Sequence, residues 1–184
     1  EHPRAEAVTV TDVAQRYWDV ALAAAPSSAT LLGIHDHDDR LEDLSVGSDA
    51  ALRAQLEGLS NELADLTPSA VEDQVTATLL DHQLRTGIEA IDLRLVEMAS
   101  DQMLGPHASL LMSAPQMTYP TSAEATAALT RYAQVPRMLG QALDRFRDGL
   151  VAGRTPAAAV IARSINSLEQ YLATSFDDDP FLAA

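Results

Sequence analysis

The sequence contains no cysteine and no lysine, and its 12 basic residues, all arginine, face 27 acidic ones, for a net charge of -15. Without cysteine there is no disulfide framework, no thiolate metal site and no sulfur nucleophile, and the redox compartment stays open. Without clustered cations, nucleic acid is excluded as a partner class, because contacts to a phosphate backbone require them. No apolar run approaches the roughly 18 residues of a membrane span. A membrane partner is therefore not expected, and the protein is read as soluble, with the cytoplasm favoured. The opening EHPRAEAVTV has neither an apolar signal core nor an initiator methionine, so a processed or cut end with residues 1–9 loose is expected.

What the chain does have is ordinary globular composition and strong helical periodicity. At 184 residues, 47% hydrophobic and 21% charged, it is long enough for one real core and short for two, so residues 1–184 are read as a single helical domain. Leu52, Leu56, Leu59, Leu63 and Leu66 recur at alternating steps of four and three, which places one apolar stripe along a helix. A second stripe runs through Leu80, Leu84, Ile88, Ile91, Leu95 and Met98. A third follows Ala125, Leu129, Tyr132, Pro136, Leu139, Leu143, Phe146 and Leu150, and a fourth Ile161, Ile165, Leu168 and Leu172. An earlier helix carries Val13, Tyr17, Val20 and Ala24 and must stop near Pro26, with a short turn after it at Ser28 to Leu32.

Helix punctuation supports these assignments. Thr67-Pro68 and Thr155-Pro156 each set a hydroxyl before a proline, the order expected at a helix start. Thr121 and Glu124 have capping-box spacing. Gly149 and Gly153 sit where the third stripe should end. Pro136 falls inside that stripe and predicts a bend or restart near Val135. Three carboxylates at Asp177, Asp178 and Asp179 would oppose the dipole of the last helix, which should end near Thr174, leaving residues 176–184 as a linker or cut edge. No stretch alternates like a strand. The expected fold is all-α, an antiparallel bundle of about five helices interrupted by two long irregular loops.

The first of those loops, LGIHDHDDRLEDLS at residues 32–45, is the densest in chemistry. Its calcium-loop reading fails, since a frame starting at Asp36 puts Leu41 at the glycine position and Gly47 at the glutamate position. His35 and His37 offer two imidazoles, but zinc asks for three or four ligands and no other histidine joins them at a recognisable spacing. Capping and solvation by the acidic side chains is the simpler reading. His82 borders the second stripe as a partly buried packing residue, and Asp81 and Glu89 flank Arg85 as an ion-pair row. Met98, Met103, Met112 and Met117 read as core and loop packing, with an adaptable groove as the alternative. No zincin helix, nucleophile elbow or phosphate loop occurs, so no catalytic residue, metal ligand or cofactor site is assigned.

The order of four stretches resembles the N-terminal region of the bacterial family catalogued as domain of unknown function 885. These are Tyr17-Trp18 with Pro26 and Ala29-Thr30; LGIHDHDDRLEDLS; LGPHASL at Leu104 to Leu110; and DGLVAGRTP followed by the DDDPF end. The resemblance implies a mostly helical, gluzincin-like zinc metallopeptidase about three times this length, with its His-Glu helix in a C-terminal region beyond Ala184. This chain would then be a non-catalytic N-terminal part whose partner is that missing region, with peptide as substrate and zinc as cofactor only in the complete protein. The loops carrying His35, Asp38, Asp39 and Arg40, and Gly105, Pro106 and His107, would border the substrate groove. Stripes left without cover could support a homodimer. Two further readings stay open: a free-standing acidic helical module that binds another protein, and a metal-binding protein using His35, His37 and nearby carboxylates.

Overall fold

Val13 and Leu84 are entirely enclosed, each 0% exposed, and the helices that carry them follow the predicted stripes. The structure, a computed structural model, describes residues 8–179. Among these residues the regular structure is all α-helical, with eight α-helices, three short 3₁₀ turns and no strand. The expected five helices resolve into more because the second of the two expected loops, residues 99–120, is itself partly helical and the third stripe is divided. Residues 180–184 of the expected linker lie outside the described residues, as do residues 1–7.

The described chain divides into two compact units, one running up to Leu22 and resuming at Gly47–Leu93, the other comprising Ala23–Val46 and the chain from Arg94 onward. In the first, α1 (Val10–Ala24), α3 (Val46–Ala64) and α4 (Val71–Asp92) bury Val10, Val13, Leu56, Leu59, Leu63, Leu80 and Leu84 in one cluster. The start of α1 is held by a reciprocal pair, Thr9 N donating to Asp12 Oδ2 at 2.8 Å and Asp12 N to Thr9 Oγ1 at 3.2 Å, a capping box with aspartate in the usual glutamate place. Arg16 forks onto Glu62 and Arg53 onto Asp92. These pairs are exposed and contribute little beyond register.

Several boundaries differ from the sequence reading. Helix α4 starts at Val71, with extended Ala70 as its cap, and not at Pro68. The Gln74 side chain donates to the carbonyls of Pro68 and Ser69 at 3.2 and 3.3 Å, holding them outside the helix. The fixed φ of proline suits extended chain as well as a first helical turn, which also explains why the last helix, α8 (Ala158–Leu172), begins after Pro156. The second stripe breaks after Asp92: Arg94 has a left-handed φ of 53, and Leu95–Met98 forms a 3₁₀ turn. His82 is exposed, on the solvent side of α4, rather than partly buried.

In the second unit, α2 (Pro26–Leu31) leads into the irregular loop, and α5 (Pro106–Ser113), α6 (Ser122–Tyr132), α7 (Val135–Val151) and α8 follow the break at Arg94. The capping box of α6 is complete, with Thr121 Oγ1 accepting from Glu124 N and Glu124 Oε2 from Thr121 N. The chain turns at Ala133-Gln134 and restarts as α7 with Pro136 in its first turn. The third stripe, however, faces out: Leu129 is 71%, Leu143 48% and Leu150 68% exposed. The inward face is Ala128, Arg131, Met138, Ala142, Arg145 and Gly149. Small residues allow close approach there, and a Cβ at Gly149 would lie 2.9 Å from the Glu97 carbonyl oxygen. Replacing Leu84 with alanine should cost about 2 to 5 kcal/mol, whereas Leu143→Ala should stay within about 0.5 kcal/mol. Denaturant midpoints of the two variants check this, and equal losses would contradict the assignment of faces.

Candidate functional site

The irregular loop is ordered by one buried guanidinium. Arg131 on α6 is 0% exposed. Its Nε donates to the Arg40 carbonyl at 2.7 Å, its Nη2 to the His37 carbonyl at 2.9 Å and to Thr30 Oγ1 at 2.7 Å, and its Nη1 to Tyr119 Oη at 3.3 Å. Thr30 passes a hydrogen bond on to Asp38 Oδ1 at 2.5 Å, and His35 Nδ1 meets Asp38 Oδ2 at 2.7 Å. Asp38 Oδ1 stands 3.5 Å from Arg131 Nη2, so a buried carboxylate and a buried cation balance each other.

A row of polar side chains extends this grip along α7. Gln134 donates to the Asp39 carbonyl at 2.7 Å and Arg137 to the carbonyls of Leu41 and Glu42 at 3.0 and 3.2 Å. Gln141 accepts from Leu44 N at 3.1 Å and donates to Asp43 Oδ1 at 2.9 Å. Bonds from Ser45, from its side chain first, hold the Asp43 carboxyl below its ordinary range, with Arg137 and Gln141 assisting. Leu41 then packs with Leu110 and Met138 in a small core.

The loop's candidate residues thus separate. His35 and Asp38 belong to the buried network. The side chains of Asp39 and Arg40 are exposed, 3.8 Å apart, and it is their carbonyls that α6 and α7 engage. Gly105 is the extended N-cap of α5; a Cβ there would lie 2.5 Å from the Asp101 carbonyl oxygen, so only glycine fits. Pro106 is the first residue of α5, and His107 approaches Ser164 on α8, Nε2 to Oγ 3.3 Å.

Asp101, His107 and Ser164 invite comparison with a nucleophilic triad, but the geometry does not make one. Asp101 Oδ1 accepts from the amides of Met103 and Leu104, both at 2.7 Å, which hold its carboxyl low, and Ser164 is 2% exposed. Nor do the described residues fit the implied zinc. Among them no group of three or more His, Asp or Glu is placed to hold a metal, and His35 Nδ1 is already engaged by Asp38.

What the two loops share is an apolar cavity of about 540 Å³. Glu42 and Leu44 come from the first loop, Pro106 and Ser109 from α5, and Met103, Met112 and Met138 supply flexible apolar walls. The methionines therefore divide: Met103 and Met112 line the cavity, while Met117 is buried with its Sδ 3.1 Å from Arg131 Nη1. A second buried charge, Glu97, lies elsewhere in this unit. Burial pushes its carboxyl up, but the bonded Arg154 guanidinium, with Arg94 and Arg145 nearby, outweighs this and holds it below 4.5. Sequence reasoning missed Arg131, Glu97 and the cavity. The usable signal was the polar spacing of Gln134, Arg137 and Gln141 at the start of α7, with Arg131 just before the turn.

Arg131→Met should destabilise the protein by about 3 to 5 kcal/mol, because it strands Asp38 and the loop carbonyls; a loss under about 1 kcal/mol would refute this. Burial pushes the His107 imidazole below its ordinary 6.5, with Asp101 working weakly against it. A histidine depressed in the folded state contributes stability that is full above its unfolded pKa and fades as pH falls through the folded one. Melting temperature should therefore drop from about pH 7.5 to about pH 5.5, with a shallower slope in His107→Gln. An unchanged slope would contradict the assignment.

Neither a search of curated proteins nor one of solved structures found a match to this chain. One family's sequence model, described as "Bacterial protein of unknown function (DUF885)", matches residues 26–184, which takes in α2 to α8, the ordered loop and all of the cavity wall except Ala25. The chain belongs to the DUF885 family of bacterial proteins.

Proposed function

We propose that this chain is the non-catalytic N-terminal helical region of a zinc-dependent, metallopeptidase-like protein, and that the cavity of its second unit borders the groove that receives peptide. The observation that carries the reading is convergence: the loop from His35 to Ser45 and the start of α5 at Gly105 to His107 are far apart in sequence, yet both feed the wall of one apolar cavity. A cavity of this size, apolar with a few polar groups, is of the kind that binds small molecules or side chains. The metal chemistry is assigned to a C-terminal region of the complete protein, since His35 and His107 are engaged by Asp38 and Ser164 and His37 has no second and third ligand beside it among the described residues.

A second reading, an acidic helical module that binds a partner or a second copy, is favoured by the exposed stripe of Leu129, Leu139, Leu143 and Leu150. Multi-angle scattering separates the two, because a stable dimer of the complete protein that Leu143→Asp dissolves supports the module.

In the complete protein, Met112→Trp should fill the cavity and raise KM for apolar peptides by about tenfold with little change in melting temperature, since Met112 is 54% exposed. Stoichiometric zinc in the complete protein and none in residues 1–184 are expected with it. A complete protein with no zinc and no peptidase activity would overturn the reading.

A further inference from the structure

The cavity wall contains one acidic side chain, Glu42, and no arginine or histidine. Glu42 is fixed in place: Oε1 accepts from Ser27 N at 3.0 Å and Oε2 from Ser27 Oγ at 2.9 Å. Each carboxylate oxygen accepts about two hydrogen bonds, so both keep capacity toward a ligand. Among the described residues the carboxylate pairs with no cation. Arg137 donates to the main-chain carbonyls of Leu41 and Glu42 and lies 3.9 Å from the Asp43 carboxylate. The rest of the wall is dominated by Leu31, Leu44, Leu110 and the methionines Met103, Met112 and Met138, whose unbranched side chains adapt to ligand shape.

An apolar chamber with a lone, oriented carboxylate is complementary to an apolar chain that ends in a cation. We propose that this cavity binds a primary ammonium carried on an aliphatic chain, with the chain among the methionines and the ammonium on Glu42. An uncharged apolar ligand would leave the carboxylate's free acceptor positions facing hydrocarbon, and an anionic one would meet like charge in a protein of net charge -15. The proposal rests on the cavity being a ligand site, as in the function proposed above, but not on that protein being a peptidase.

The test is calorimetric titration of the chain with n-octylamine, n-octanol and n-octanoate below their aggregation limits, and with leucyl-leucine amide in free and N-acetylated forms. Saturable one-to-one binding of the amine or of the free peptide is expected, about tenfold tighter than of the uncharged or anionic counterpart, in line with a charge-assisted hydrogen bond. Whichever of the two binds more tightly identifies the source as a small amine or a peptide amino terminus. Glu42→Gln, which keeps an acceptor for Ser27, should erase the tenfold preference, and Met112→Trp should abolish binding while leaving the melting temperature in place. Absence of saturable binding, equal affinity for the uncharged ligand, or a preference that survives Glu42→Gln would overturn the proposal. Amine binding together with a complete protein that lacks peptidase activity would defeat only the enzymatic reading.

Discussion

The second unit depends on the guanidinium of Arg131. A loop of histidines and carboxylates has no intrinsic reason to hold one shape, since its acidic side chains repel one another and its carbonyls would otherwise face water. Arg131 removes both problems by bonding the carbonyls of His37 and Arg40 while standing beside the buried carboxylate of Asp38. A planar cation with five donors can do this, and an ammonium on a flexible stem cannot. Burying the pair is costly in itself; its return is a single loop geometry rather than raw stability.

From that geometry the remainder of the wall follows. With the carbonyls of His37, Asp39, Arg40, Leu41 and Glu42 pinned by Arg131, Gln134 and Arg137, Leu41 is directed onto Leu110 and Met138, and Glu42 is delivered to Ser27 at the cavity edge. The loop is thus an ordered wall element without secondary structure, built by side chains from a distant helix. The His35 imidazole and the carboxylates of Asp38, Glu42 and Asp43 are spent on such bonds, and a segment so rich in metal-ligand residue types offers no ligand set among the described residues.

The legible part of the fold was the part that hydrophobic burial alone decides. Leu56, Leu59 and Leu63 on α3 and Leu80 and Leu84 on α4 repeat at helical spacing and all lie inside, and the Thr121–Glu124 box and the Pro136 restart are local backbone chemistry that needs no tertiary context. The inward face of α6 and α7 was illegible for the opposite reason. Its centre is two arginines, and periodicity weighs an arginine as solvent-facing, so Leu129, Leu143 and Leu150 were read as core. Only the carbonyls and carboxylates brought from elsewhere in the chain make the arginine side the buried one. Helix α5 hid among the methionines and prolines of residues 99–120, although Gly105-Pro106 is a cap followed by a first-turn proline. In the candidate site, the loops could be read from sequence as patterned connections, but their convergence on one cavity is a tertiary fact.

Backbone hydrogen exchange in an Arg131→Lys protein tests most directly whether one guanidinium orders the loop. Lysine keeps the charge but cannot span the carbonyls that arginine forks across, so protection of the Asp38, Arg40 and Leu44 amides should fall while that of α3 and α4 is kept. Protection of those loop amides equal to that of the unsubstituted protein would contradict it.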